Sequence, residues 1–70
     1  MSEVVNVVVN GEERTLASGV TVAVLAAELG VGPTGVAVAV NDEVLPRSTW
    51  ADVRLDEGDR VEVLGAMQGG

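Results

Sequence analysis

Asn10-Gly11 closes a run from Val4 to Val9 that is β-branched throughout except for Asn6. Both turn residues tolerate positive φ, as two-residue hairpin loops demand, and the pair is the strongest short-range hairpin signal a chain can carry. Glu12 to Leu16 is then the returning strand, and Ser18-Gly19 breaks the pattern. A segment suited to covering that hairpin comes next. Thr21 can cap a helix, because its hydroxyl accepts from the first free amides. Val22, Leu25, Ala26 and Leu29 fall on one helical face. Gly30 stands where a C′ glycine stops a helix, and Gly32-Pro33 is a second breaker. The helix is about two turns long, so packing must supply its stability.

The remainder returns to strands. Gly35 to Val40 reads Gly-Val-Ala-Val-Ala-Val, with a larger valine face and a smaller alanine face. Asn41-Asp42 turns the chain into Glu43-Val44-Leu45, which Pro46 ends. Arg47 to Leu55 carries no regular period, and Trp50 is its expected anchor to the body. Asp56-Glu57-Gly58-Asp59 is a tight turn, and Arg60 to Val63 alternates as a last strand. Gly65 to Gly70 holds three glycines and no period, which predicts a mobile tail. The order is strand, strand, helix, strand, short strand, strand. It predicts one α+β domain over residues 1–64, a β-grasp with a mixed sheet of four to five strands and one main helix on one face, followed by a flexible tail over 65–70. The other sheet face is left open to partners.

Composition narrows what such a domain can do. Seventy residues are near the lower limit for a self-sufficient core, and without cysteine no disulfide or thiolate site can help. The 47% apolar content is nearly all Val, Ala and Leu, so the chain is globular but of modest stability. His, Cys, Tyr and Lys are absent, which removes the usual bases near neutral pH, thiol nucleophiles and Schiff-base amines. A carboxylate pair is the one acid–base device left, and the chain reads as non-catalytic. Net charge is −7, eleven acids against four arginines, which speaks against nucleic acid and anionic membranes and for a basic docking surface on a protein partner. Met1-Ser2-Glu3 does not open a signal peptide, and no apolar run reaches membrane-spanning length. Cytoplasm is the expected location.

The chemistry is expected at the C-terminus. Gly69 and Gly70 lack Cβ atoms, so they can lie in a channel too narrow for any side chain and deliver the terminal carboxylate to another enzyme's nucleotide. Gly70 is the reactive residue in this scheme and Gly69 gives access, with Leu64 and Met67 as expected partner contacts. The acidic turn at 56–59 lacks the spacing of a calcium loop and is read as a turn, not a metal site. Gly30 to Gly35 lacks the lysine and following helix of a phosphate loop and is read as a linker. The four arginines are read as solvated charges, with Arg47 set apart by its place after Pro46.

The string Asn41-Asp42-Glu43-Val44-Leu45-Pro46-Arg47-Ser48-Thr49-Trp50, followed by Glu57-Gly58-Asp59 and Gly69-Gly70, resembles the ThiS family of ubiquitin-like sulfur carriers. Asn10 at the first turn, Gly19, and Thr21-Val22 at the helix start extend the resemblance over nearly the whole chain. It implies a β-grasp carrier with no bound cofactor. An adenylating enzyme of the ubiquitin-activating type (ThiF- or MoeB-like) would use ATP and magnesium to activate the Gly70 carboxylate. A persulfide donor would convert it to a thiocarboxylate, and a thiazole synthase (ThiG-like) would receive the sulfur for thiamine. In this mapping Pro46, Arg47 and Trp50 are structural. The chain begins a few residues before the first family-like strand position. It also lacks lysine, which leaves its N-terminal amine as sole acceptor for a conjugate and favours a carrier over a protein modifier. Delivery to molybdopterin, cysteine or tRNA thiolation, and a ubiquitin-like interaction or modifier module, stay open as alternatives.

Overall fold

β1 (Val4–Val9) and β2 (Glu12–Ala17) form the hairpin, with antiparallel register running from Val9 opposite Glu12 to Val4 opposite Ala17. The turn has φ of 51° at Asn10 and 84° at Gly11, the left-handed values that its residue types permit. The structure is a computed structural model and describes residues 3–30 and 36–65. Alternation then decides which residues are buried. Val5, Val7 and Val9 point into the core, while Val4, Asn6 and Val8 point to the opposite face.

Helix α1 (Val22–Glu28) starts at Thr21, whose Oγ1 accepts from the Val24 N–H at 3.3 Å. Val22, Leu25 and Ala26 are buried on one face as their spacing predicts, and Leu29 packs partly against them. Gly30, at φ 77°, follows the C-cap. The start of the helix is tied down from outside. Val22 N–H donates to the Val53 carbonyl, and Leu55 N–H donates to the Val20 carbonyl, both at 2.9 Å. A later segment is thereby pinned beside residues 20–22.

β3 (Val36–Val40) pairs antiparallel with β4 (Glu43–Leu45), and Pro46 ends the short edge strand. The next stretch is more regular than the sequence predicts: Arg47–Asp52 is a 3-10 helix. Three residues per turn give no 3.6-residue apolar stripe, so periodicity could not announce it. The Pro46 carbonyl holds its first turn, accepting from the Thr49 N–H at 2.9 Å and the Thr49 hydroxyl at 2.7 Å. Trp50 sits on this turn and is buried, with its indole N–H donated to the Leu45 carbonyl at 3.1 Å.

β5 (Arg60–Gly65) completes a five-stranded sheet of order β2-β1-β5-β3-β4, parallel to β1 and antiparallel to β3. It is two residues longer than the sequence predicts. Gly65, expected in the tail, lies in the strand opposite Val36. The tail beyond it falls outside the described residues. One core lies between the helix-bearing side and the sheet, built from Val5, Val7, Val9, Leu16, Val22, Leu25, Ala26, Val38, Trp50, Leu55 and Val61. Fully burying a leucine such as Leu25 or Leu55 contributes about 1.5–3 kcal/mol, which matters in a domain this small. Among the described residues, no helix is long and apolar enough to cross a membrane.

Candidate functional site

β5 leads to the C-terminus, and asparagine side chains hold it at both ends. At its start, Arg60 N–H donates to Asn41 Oδ1 at 2.9 Å, and Asn41 N–H donates to the Arg60 carbonyl at 2.7 Å. Asn41 Nδ2 also donates to Asp59 Oδ1 at 3.0 Å. Toward its end, Asn10 N–H donates to the Val61 carbonyl, and Val63 N–H donates to Asn10 Oδ1, both at 2.9 Å. Asn41 and Asn10 have φ of 52° and 51°, the left-handed conformation that asparagine tolerates better than most residues. The sequence marks both only as turn residues. Their second task is visible only once β5 lies between the two turns.

The acidic turn before β5 is fastened by its own carboxylates. Asp59 Oδ2 accepts from the Asp56 N–H at 2.8 Å. The Glu57 carboxylate accepts from the Asn6 backbone N–H at 2.9 Å and from Asn6 Nδ2 at 3.3 Å. Gly58 N–H donates to the Asn6 carbonyl at 2.8 Å, and Thr15 Oγ1 donates to Asn6 Oδ1 at 2.9 Å. These carboxylates are committed to backbone and amide donors, which accords with a turn. Among the described residues, no three acidic side chains converge as metal ligands.

Two large apolar side chains are exposed on the open face of the sheet. Leu64 on β5 lies opposite Ala37, and Val44 on β4 lies opposite Ala39. Leu64 is 54% exposed and Val44 63%, while Ala39 is itself buried at 5%. Leu64, expected from the sequence as a partner contact, is thus displayed beside the end of β5. Val44 joins it through β3 and was not singled out by its sequence position. Met67, Gly69 and Gly70 lie outside the described residues. Five residues follow Gly65, and a chain of that length spans at most about 17 Å. Any group that acts on Gly70 must therefore come close to this end of the sheet.

The arginines divide by partner. Arg47 stacks over the Trp50 ring at 4.3 Å from its centroid, a cation–π contact that covers the buried indole. Arg60 makes an ion pair with Asp42 at 3.0 Å on the surface. The hydrogen bond from Arg60, reinforced by its charge, holds the Asp42 carboxyl below the usual aspartate range and raises the Arg60 guanidinium in turn. Both side chains are exposed on the surface, as the sequence predicts, and each also makes a contact within the fold.

Among the described residues, a central β5 between β1 and β3 and one main helix across a five-stranded mixed sheet define a ubiquitin-like β-grasp domain. Comparison with known proteins agrees. The model of the ThiS family matches residues 7–70, and the chain belongs to that family. It is 44% identical over 61 residues to the sulfur carrier protein ThiS of Thermus thermophilus, covering 87% of this chain and 94% of that one. Against the sulfur carrier protein ThiS of Escherichia coli it is 31% identical, covering 87% and 92%. A thiazole synthase of Paramagnetospirillum magneticum is 43% identical over 63 residues, which is 90% of this chain but 19% of that protein. The chain thus spans about a fifth of that longer relative. The crystal structure of the thiamine biosynthesis protein ThiS from Geobacter metallireducens superposes with a TM-score of 0.77 at 37% identity, covering 93% of this chain and 99% of that one.

Proposed function

We propose that the chain is a non-catalytic sulfur carrier of thiamine biosynthesis, with its reactive group at the Gly70 carboxylate. The observation that carries this is the family match running through residue 70, which takes in Gly69-Gly70. In the proposed cycle, the Gly70 carboxylate attacks the α-phosphate of ATP on a ubiquitin-activating-type enzyme. Pyrophosphate leaves and an acyl-adenylate forms. A persulfide sulfur displaces AMP, and cleavage of the resulting sulfur–sulfur bond by a thiol leaves a thiocarboxylate on Gly70. A chain without cysteine has no thiol to carry the sulfur, so the carrying group must be a carboxylate.

The recipient is a thiazole synthase. The support is that thiazole synthases of Paramagnetospirillum magneticum and Magnetococcus marinus contain a stretch 43% and 39% identical to this chain. The exposed Leu64 and Val44 mark the sheet face offered to these partners, with Met67 close to Leu64 in sequence. ATP and magnesium belong to the adenylating enzyme, and the cycle takes place in the cytoplasm.

The test is intact mass after incubation with the adenylating enzyme, ATP, magnesium and a persulfide donor. The intact chain should gain one sulfur-for-oxygen exchange localised to Gly70. A chain lacking Gly70 should gain none while keeping the same thermal unfolding, and cells carrying it should need thiamine. An unmodified intact chain, or thiamine-independent growth of the deletion strain, would overturn the proposal.

A further inference from the structure

We infer that Asn10 is a positioning residue for the C-terminal end. Its carboxamide stands in for a strand residue that β1 lacks and keeps β5 in the sheet up to the start of the tail. The inference rests on the carrier function proposed above, because it concerns how the tail is presented.

β1 and β5 form a parallel ladder. Val8 N–H donates to the Asp59 carbonyl at 3.0 Å, and Asn10 N–H donates to the Val61 carbonyl at 2.9 Å. The next rung would take the Val63 N–H, but β1 has ended at Val9 and the chain has turned at Asn10-Gly11. No backbone acceptor of β1 remains at that height. Asn10 Oδ1 supplies one at 2.9 Å, across 53 positions of sequence. On its other edge β5 is paired to the end, Leu64 opposite Ala37 and Gly65 opposite Val36. Asn10 therefore makes Val63 the last residue of β5 that is held from both sides.

This placement matters because the residues after Gly65 carry the group that a partner would act on. A strand held on one edge only opens more readily than one held on both. Each residue released from β5 is one more whose backbone freedom is lost on docking, which weakens binding roughly tenfold per residue. Such a loss acts before and during the reaction alike, so it appears in KM and leaves kcat unchanged. A residue that merely stabilised the domain would lower the unfolding temperature without moving KM of the folded protein.

The experiment uses the full chain with Asn10→Gly, which keeps the left-handed turn but removes the acceptor, and Asn10→Asp, which keeps an acceptor and tolerates the same φ. Asn10→Ala is the second removal variant if Asn10→Gly lowers the folded population. Thr21→Ala, distant from β5, is the control for general destabilisation. Amide hydrogen exchange at Val63 and Leu64 should quicken about tenfold or more in Asn10→Gly, and stay near the unaltered rate in Asn10→Asp and Thr21→Ala. With the adenylating enzyme, KM should rise roughly tenfold in Asn10→Gly, with kcat unchanged and recovery in Asn10→Asp. Unchanged exchange at these amides, or an equal KM rise in Thr21→Ala, would overturn the inference. If the unaltered chain is not adenylated at all, the carrier function fails instead. The exchange rates then decide alone whether Asn10 holds the strand.

Discussion

Trp50 is the single aromatic residue and is bonded on two sides. Its indole N–H donates to the Leu45 carbonyl, and Arg47 lies across its ring. The Pro46-Arg47-x-x-Trp50 spacing therefore has a local cause: three residues of 3-10 helix bring the guanidinium back over the indole. Asp42 and Arg60 form a more exposed pair, and its effect on stability has a definite sign. The Asp42 carboxyl is lowered in the folded chain, first by the Arg60 hydrogen bond and then by its charge. Its stabilisation is thus fully present above the unfolded aspartate value and is lost as pH falls through the lower folded value. Asp42→Asn tolerates the φ of 73° at that position. It should be slightly less stable than the unaltered chain at neutral pH, and equal to it in strongly acidic solution or at high salt. Thermal unfolding across pH checks this. The gap should be small because both side chains are exposed.

At the scale of elements, α1 shows how far local signals reach. Its cap, buried face and terminal glycine all stand where spacing and residue type predict. A seven-residue helix is too short to stand alone, and its start is held by Val53 and Leu55 from a segment that carries no period in the sequence. Thr21→Ala removes the cap acceptor but leaves those backbone bonds. It should cost about 0.5–1 kcal/mol, at the low end because the Val24 N–H lies 3.3 Å away, and lower the unfolding midpoint by roughly 2–8 °C. Calorimetry of the variant is the check. β5 was legible as a strand by its alternation, but its last two residues were not. Leu64-Gly65 looks like the start of a glycine-rich tail until Ala37 and Val36 are seen beside it.

For the whole molecule, eleven acids against four arginines give a net charge of −7. Such a surface should steer the chain to a basic site on the adenylating enzyme proposed above. The association rate should fall on the order of tenfold between ~0.05 M and ~0.5 M salt, while dissociation changes little. Stopped-flow measurements distinguish the two, and a salt-independent association rate would count against steering. The display of Leu64 and Val44 on one face is also a property of the assembled sheet, since they are far apart in the chain and lie on either side of β3, opposite Ala37 and Ala39.

The sequence by itself determined the hairpin, the capped helix, the turns and the α+β class. Each of these depends on backbone preferences or periods that act over a few residues. It also named the Gly-Gly terminus, because residues without Cβ are recognisable one at a time. Only the tertiary structure decided that β5 enters between β1 and β3. Valines supply β1 and β3 with apolar side chains on more than one face, so alternation alone does not choose their neighbours. The second use of Asn10 depended on the same choice. An amide donor 53 positions away becomes its partner only when long-range burial has set the strand order.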